Sequence, residues 1–245
     1  IMSLSKVALV TGGSKGIGAA IARRLSADGF SVAINYAKNA EPAQALVAEL
    51  QKADRRAFAV QCNVANTDDV IDMFDIVEKE LGPIKVLINN AGIMINAPVA
   101  QSEEADFDEQ IAVNLKGTFN TLKQAANRMP NGGRIVNIST SVVGLKLENY
   151  GIYAATKSAV ETLSAILSKE LRGKEITVNT VAPGPTATDL FLNGKSQEMI
   201  DRLAKMSPLE RLATPDDIAR AVAFLVGPDG AWINGQVLRA NGGII

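Results

Sequence analysis

The 245-residue chain has no histidine. That absence removes histidine-based triads and histidine metal sites, and leaves proton transfer to Tyr, Lys, Asp, Glu or Cys. Its one cysteine, Cys62, rules out an internal disulfide and fits a reducing, cytoplasmic compartment. Charge of either sign is not in excess: 26 acids stand against 25 bases, so no net field draws the protein to nucleic acid or an anionic membrane. No apolar run has the length of a membrane helix. The opening stretch, IMSLSKVALV, lacks the apolar core and cleavage site of a signal peptide. No linker, charge block or low-complexity segment divides residues 1–245, which read as one domain. What is present in quantity is hydrophobic, 47%, enough for a sizeable core.

The chain alternates strand and helix. Val7–Val10 reads as a buried strand and runs into TGGSKGIG, residues 11–18, followed by a helical pattern ending near Gly29. In that strand–turn–helix context Gly12 permits a tight turn, Gly16 a close backbone approach and Gly18 close helix–sheet packing. A helix N-terminus would then face a pyrophosphate. The spacing is T-G-x-x-x-G-x-G. Ser31–Tyr36 is a second strand that ends Asn35-Tyr36-Ala37-Lys38, without the acid that commonly holds the ribose hydroxyls of NAD. Lys15 and Lys38, with no acid beside them, favour a 2′-phosphate and hence NADP(H).

Further strands read at Ala57–Cys62, Ile84–Ile88, Gly133–Ser139, Ile176–Val181 and Gln236–Ala240. Helices read at Glu41–Ala53, at Thr67–Leu81 with Thr67 as N-cap, across Ser102–Asn127 as one or two pieces, and from Thr214 with Pro215 in its first turn. The rhythm predicts a doubly wound, parallel, seven-stranded sheet of the Rossmann type. Asn114 is a poor helix residue unless its side chain has a partner. Thr188 to Pro208 is polar with one short helical pattern, Ser196–Met206, and residues 188–210 suit a lid.

Tyr153 stands four residues before Lys157 in a helix whose apolar stripe is Val160, Leu163, Leu167 and Leu171. A nearby cation favours the phenolate. Bringing a tyrosine near pH 7 needs roughly 4 kcal/mol, more than one surface lysine supplies. A lysine together with a cationic cofactor ring in a dry pocket is sufficient. The pair therefore reads as an acid/base beside a nicotinamide.

TGGSKGIG, NNAG (residues 89–92), Asn114, the hydroxyl cluster Ser139-Thr140-Ser141, Tyr-x-x-x-Lys and PGPTATD occur in one order. In that order and spacing the chain resembles, over essentially its whole length, the classical short-chain dehydrogenases/reductases. It looks most like the 3-oxoacyl-[acyl-carrier-protein] reductases. The resemblance implies Tyr153 as the acid that protonates a carbonyl oxygen, Lys157 as its tuner and ribose anchor, and Asn114 as holder of a water for reprotonation. It implies cofactor contacts at Gly12, Ser14, Lys15, Gly16, Ile17 and Gly18, and at Asn35, Tyr36, Ala37 and Lys38. It adds Asn63 and Val64 near the adenine, Asn90, Ala91 and Gly92 along the cofactor, and Pro183, Gly184, Thr186 and Thr188 near the nicotinamide amide.

The substrate hydroxyl is ambiguous. Counting from Gly133 places it on Thr140; counting back from Ser-x-x-Gly places it on Ser141. The SVVG match selects Ser141. Asn63 stands where an aspartate is usual. Tyr150 has alanine at i+4 and is set aside. The implied activity is NADPH-dependent reduction of a 3-oxoacyl thioester or a small ketone or aldehyde, in a homotetramer. Arg128 and Arg172 lie where relatives dock an acidic carrier. An oxidative alcohol or sugar dehydrogenase and a non-catalytic dinucleotide sensor are the alternatives; such sensors often lack the tyrosine or lysine, which this chain keeps.

Overall fold

A computed structural model of the chain describes residues 6–245, so the stretch ahead of Lys6 lies outside it. Strand β1 (Val7–Val10) is apolar at every position and buried on both faces. Its side chains alternate between two cores. Ala8 and Val10 join one apolar layer, and Val7 and Leu9 join the other. That two-sided burial is what a central parallel strand requires.

The chain continues through α1 (Gly16–Ala27), β2 (Ser31–Tyr36), α2 (Glu41–Lys52), β3 (Ala57–Gln61), α3 (Thr67–Leu81) and β4 (Ile84–Asn89). It then forms α4 (Glu104–Gln110), α5 (Gly117–Arg128), β5 (Arg134–Ile138), α6 (Val142–Leu145), α7 (Gly151–Glu170) and β6 (Thr177–Pro183). It closes with α8 (Asp189–Leu192), α9 (Gln197–Lys205), α10 (Pro215–Val226) and β7 (Val237–Ala240). The strands form one parallel sheet ordered β3-β2-β1-β4-β5-β6-β7. Helices α1, α2 and α10 pack on one face, and α3, α5 and α7 on the other.

Strand order reverses between β1 and β4. At that switch point the connections leave in opposite directions and open a crevice at the carboxyl ends of the strands. The turn after β1, the NNAG stretch after β4, the hydroxyls after β5 and Gly184 after β6 all fall at that end.

Three local differences from the sequence reading have physical causes. Helix α3 is capped by Asn66, not Thr67: the Asn66 side chain accepts from the backbone N–H of Asp68 and Asp69 at 2.9 and 3.2 Å. Residues Ile111–Lys116, between α4 and α5, widen into a π-helix that carries Asn114. The polar stretch after Thr188 holds two short helices, α8 and α9, where one was expected. The α10 start is as read. Thr214 and Asp217 form a capping box, and Arg211 beside Asp217 holds its carboxyl down at about 2. Among the described residues no helix is long and apolar enough to cross a membrane.

Candidate active site

The crevice has one wall made of backbone turns. Gly12 has φ +58°, and a Cβ there would lie 2.9 Å from the Cα of Ala91. A Cβ on Gly18 would lie 2.4 Å from the Gly12 carbonyl oxygen. Glycine at both positions lets the first turn, the start of α1 and the NNAG stretch pack backbone to backbone. Hydrogen bonds lock the arrangement. Thr11 Oγ1 accepts from the N–H of Asn90 and Ala91 at 3.0 and 3.1 Å. Asn90 Nδ2 returns two bonds, to the carbonyls of Thr11 and Gly12. Thr11 was not singled out in the sequence, although its place at the head of the glycine motif was the available signal.

Asn35 departs from its expected role as a cofactor contact. It is 2% exposed. Its Oδ1 accepts from Gly12 N–H at 3.0 Å, and its Nδ2 donates to carbonyls of Tyr36, Val60 and Cys62. It is a strut that joins β2 to the first turn and to β3. Tyr36 is half-buried, while Ala37 and Lys38 are exposed beyond it. Lys15 is also exposed and stands at the N-cap of α1 without a capping side chain. The α1 N-terminus, between Ser14 and Ile17, therefore keeps unpartnered N–H groups and a positive dipole end. Asn63 is exposed, and its Oδ1 holds the Ala65 N–H at 3.1 Å. Val64 is buried in the core, where a Cβ on Gly117 would meet it at 2.6 Å.

A cavity of about 140 Å³ brings the other elements together. Ile17, Asn90, Gly92, Thr140, Tyr153, Lys157, Pro183, Gly184, Thr186 and Thr188 all line it. Lys157 is 4% exposed, and its Nζ donates to the Ile138 carbonyl at 2.9 Å. Burial pulls its pKa down to about 8. Of its three donors this leaves two facing the cavity beside Gly92. A Cβ at Gly92 would lie 3.3 Å from Lys157 Nζ and 3.2 Å from Asn114 Oδ1, so any side chain there would crowd that gap.

Asn114 is fully buried. Its Oδ1 accepts from Ile93 N–H at 2.8 Å, and its Nδ2 donates to the Ile93 carbonyl and to Thr156 Oγ1. Thr156 in turn donates to the Tyr153 carbonyl at 2.7 Å. Asn114 thus ties the loop after β4 to the turn of α7 that carries the tyrosine. A second buried chain, Thr121–Asn89–Asn137–Ser164, fixes α5, β4, β5 and α7 against one another at 2.7 Å per link. Every link is satisfied, so the low dielectric strengthens the network.

Tyr153 lies on α7 one turn before Lys157, with Lys157 Nζ 5.8 Å from the centre of its ring. Burial raises its pKa to about 12, the Tyr150 phenol adds to the rise, and a hydrogen bond with the Thr140 side chain opposes it. The expected lowering by the neighbouring lysine is outweighed. Lys157 points at the Ile138 carbonyl rather than at the phenolic oxygen, and desolvation dominates.

The hydroxyl selected in the sequence, Ser141, lines the cavity with Ser139 and Thr140 but is already bonded. It is 2% exposed, and its Oγ donates to the Ala182 carbonyl at 3.2 Å and accepts from Asn241 Nδ2 at 3.0 Å. Ser139 donates to Glu161 at 2.6 Å. The cause is strand alternation. The N–H groups of Ser139 and Ser141 continue the ladder to the β6 carbonyls of Val181 and Pro183. The residue between them, Thr140, is the one turned to Tyr153.

The opposite wall is made of side chains. Leu145 and Leu147 follow α6, Tyr150 precedes α7, and Leu190, Phe191, Leu203 and Met206 come from α8, α9 and the residue after it. Thr188 caps α8 through the Phe191 N–H, and Ser196 caps α9 through the Met199 N–H.

Comparison with known proteins gives consistent results. Residues 12–245 match the family model for enoyl-(acyl carrier protein) reductase. An NADPH-dependent aldehyde reductase-like protein of Arabidopsis thaliana is 40% identical, across 98% of this chain and 94% of its own. The 3-oxoacyl-[acyl-carrier-protein] reductase FabG of Staphylococcus epidermidis is 37% identical, across 98% and 99%. A short-chain dehydrogenase from Burkholderia cenocepacia, solved in complex with NADP, superposes with a TM-score of 0.93 at 38% identity, covering 98% of each chain.

Proposed function

The chain belongs to the short-chain dehydrogenase/reductase family of oxidoreductases, and from that premise we propose that it reduces a carbonyl group to an alcohol with NADPH, with Tyr153 as the proton donor. The observation that carries the reading is the convergence of Thr140, Tyr153 and the buried Lys157 on one cavity beside Gly92.

The residues fit a pyridine dinucleotide. The uncapped start of α1 suits a pyrophosphate, and the two free donors of Lys157 suit a pair of ribose hydroxyls. Lys15 and Lys38, exposed with no acid at the end of β2, suit a 2′-phosphate, and the Burkholderia relative was solved with NADP. When bound, the reduced nicotinamide supplies the hydride that goes to the carbonyl carbon.

Tyr153 Oη gives its proton to the carbonyl oxygen as the C=O π pair moves onto that oxygen. Thr140 Oγ1 donates a hydrogen bond to the same atom and stabilises the charge that develops there. The Lys157 ammonium offsets the phenolate left on Tyr153. With its pKa near 12, Tyr153 is a phenol at neutral pH, the form a reductase needs. Asn114 keeps the loop after β4 and the α7 turn in register through Ile93 and Thr156.

Replacing Tyr153 with Phe tests the reading. Turnover with NADPH and a carbonyl substrate is expected to fall by roughly 10² to 10⁴. Cofactor binding, followed by NADPH fluorescence, is expected to stay within about twofold, because the ring and its packing remain. Near-normal turnover would overturn the mechanism.

A further inference from the structure

We propose that the substrate is a compact, neutral, apolar aldehyde or ketone taken up free from solution, and that neither a carboxylated carbonyl compound nor an acyl chain on an acidic carrier is preferred. The inference rests on the reductase reading and adds the substrate class. Its first ground is the lining. Leu145, Leu147, Tyr150, Phe191, Leu203 and Met206 face the space beyond Tyr153 and Thr140. Among the described residues that line the cavity, the only formal charge is Lys157, and that ammonium is buried against the Ile138 carbonyl at the cofactor end. No arginine, aspartate or glutamate lines it. A substrate carboxylate or phosphate placed there would be desolvated without a partner.

The lid cation that meets Phe191 does not change the balance. Lys195 donates to the Phe191 carbonyl at 2.6 Å and lies 4.6 Å over the Phe191 ring, outside the lining. Size is the second ground: the cavity of about 140 Å³ is shared with the residues expected to face the nicotinamide, so the room left for a substrate beside Tyr153 is smaller than that.

The third ground concerns a carrier. Arg128 and Arg172 are the cations at which the family resemblance places an acidic carrier, and neither lines the cavity. Arg128 is already neutralised: its Nη2 meets both Asp75 and Glu78, the latter at 2.6 Å, and its guanidinium sits 5.7 Å from the centre of the Phe74 ring. Of that pair, Arg172 alone stays exposed, just past the end of α7.

The test uses the full chain with NADPH and three pairs of substrates. Benzaldehyde is expected to exceed 4-carboxybenzaldehyde in kcat/KM by on the order of 100-fold. Hexanal is expected to exceed 6-oxohexanoate similarly. Acetoacetyl-pantetheine is expected to match or exceed the same acyl group on an acyl carrier protein. Met206→Lys adds a cation to the wall and is expected to narrow the first ratio at least tenfold. Equal rates within the charged and neutral pairs, a carrier-bound substrate favoured tenfold or more, or no effect of Met206→Lys on the ratio would each overturn the proposal while leaving carbonyl reduction intact. Failure to reduce any of the six compounds, with NADPH bound, would overturn the reductase reading and this inference with it.

Discussion

The two walls of the cleft are built by opposite means. The turn wall, residues 11–18 with 89–92, is held by hydrogen bonds to backbone atoms: Thr11 grips Asn90 and Ala91, Asn90 grips Thr11 and Gly12, and Asn35 grips Gly12. The lid wall offers apolar side chains on two short helices whose caps, Thr188 and Ser196, accept from the backbone N–H groups of Phe191 and Met199. A wall that holds an invariant cofactor can be fixed by directional bonds. A wall that reads one substrate among many is shaped by packing, which changes side chain by side chain without disturbing the turns. Thr140, Tyr153 and Lys157 stand at the seam between the two.

The largest expected effect breaks that seam. Thr140→Val keeps the shape and removes the hydroxyl that meets Tyr153, so kcat/KM is expected to fall by about 100-fold or more. Ser141→Ala leaves Thr140 and Tyr153 in place. It removes a bond to Ala182 and a partner of Asn241, so it is expected to cost about 1 kcal/mol of stability with turnover largely retained. Steady-state kinetics paired with urea unfolding of both variants separate the outcomes. The reverse pattern would restore the hydroxyl to Ser141.

That pair also marks where the sequence stopped being legible. The seven-stranded parallel sheet and the turn wall could be read because directional constraints leave residue signatures: glycines where a Cβ would collide, and a capping threonine ahead of Pro215. The Tyr153–Lys157 pair was legible from its helical spacing together with the glycine turn and the order of the other motifs. The hydroxyl was not, because STS offers three candidates and only the ladder bonds of Ser139 and Ser141 to β6 decide which one turns outward. Asn35 was misjudged for a related reason. Its position at the end of β2 is shared by cofactor contacts, but its amide is occupied by four backbone groups. Alpha-helix α8 was missed because four residues give no periodicity to detect.

A second prediction concerns the energetic cost of the seam. Lys157 has a folded-state pKa near 8 against an ordinary 10.5. Between those values the unfolded chain binds more protons than the folded one, so stability is expected to rise with pH across that window, by up to about 3 kcal/mol. Tyr153 acts in the opposite sense higher up. Its folded pKa near 12 against 10.0 means the unfolded chain loses its proton first, so stability falls from pH 10 toward 12. A maximum near pH 10 is expected in chemical denaturation. Lys157→Met should flatten the rise below that maximum and leave the fall above it. A wild-type profile that is level from pH 8 to 10 would show that the ammonium is solvated and the seam is open.

The smallest effects separate the walls directly. Lys38 is exposed at the outer end of the turn wall, and Phe191 lines the lid wall. Lys38→Ala removes a charge-assisted contact to a 2′-phosphate, so it is expected to weaken NADPH by about tenfold, leave NADH binding within twofold, and leave the KM of an apolar aldehyde unchanged. Phe191→Ala removes apolar surface from the substrate side, so it is expected to raise that KM by about tenfold and leave NADPH affinity unchanged. The double variant is expected to show both losses independently, because the two side chains act on different ligands and share no bond. Titrating NADPH fluorescence and measuring KM on all four proteins completes the cycle. If Phe191→Ala weakens NADPH as much as it raises KM, the lid folds over the cofactor as well as the substrate, and the division between a hydrogen-bonded wall and a packed wall fails.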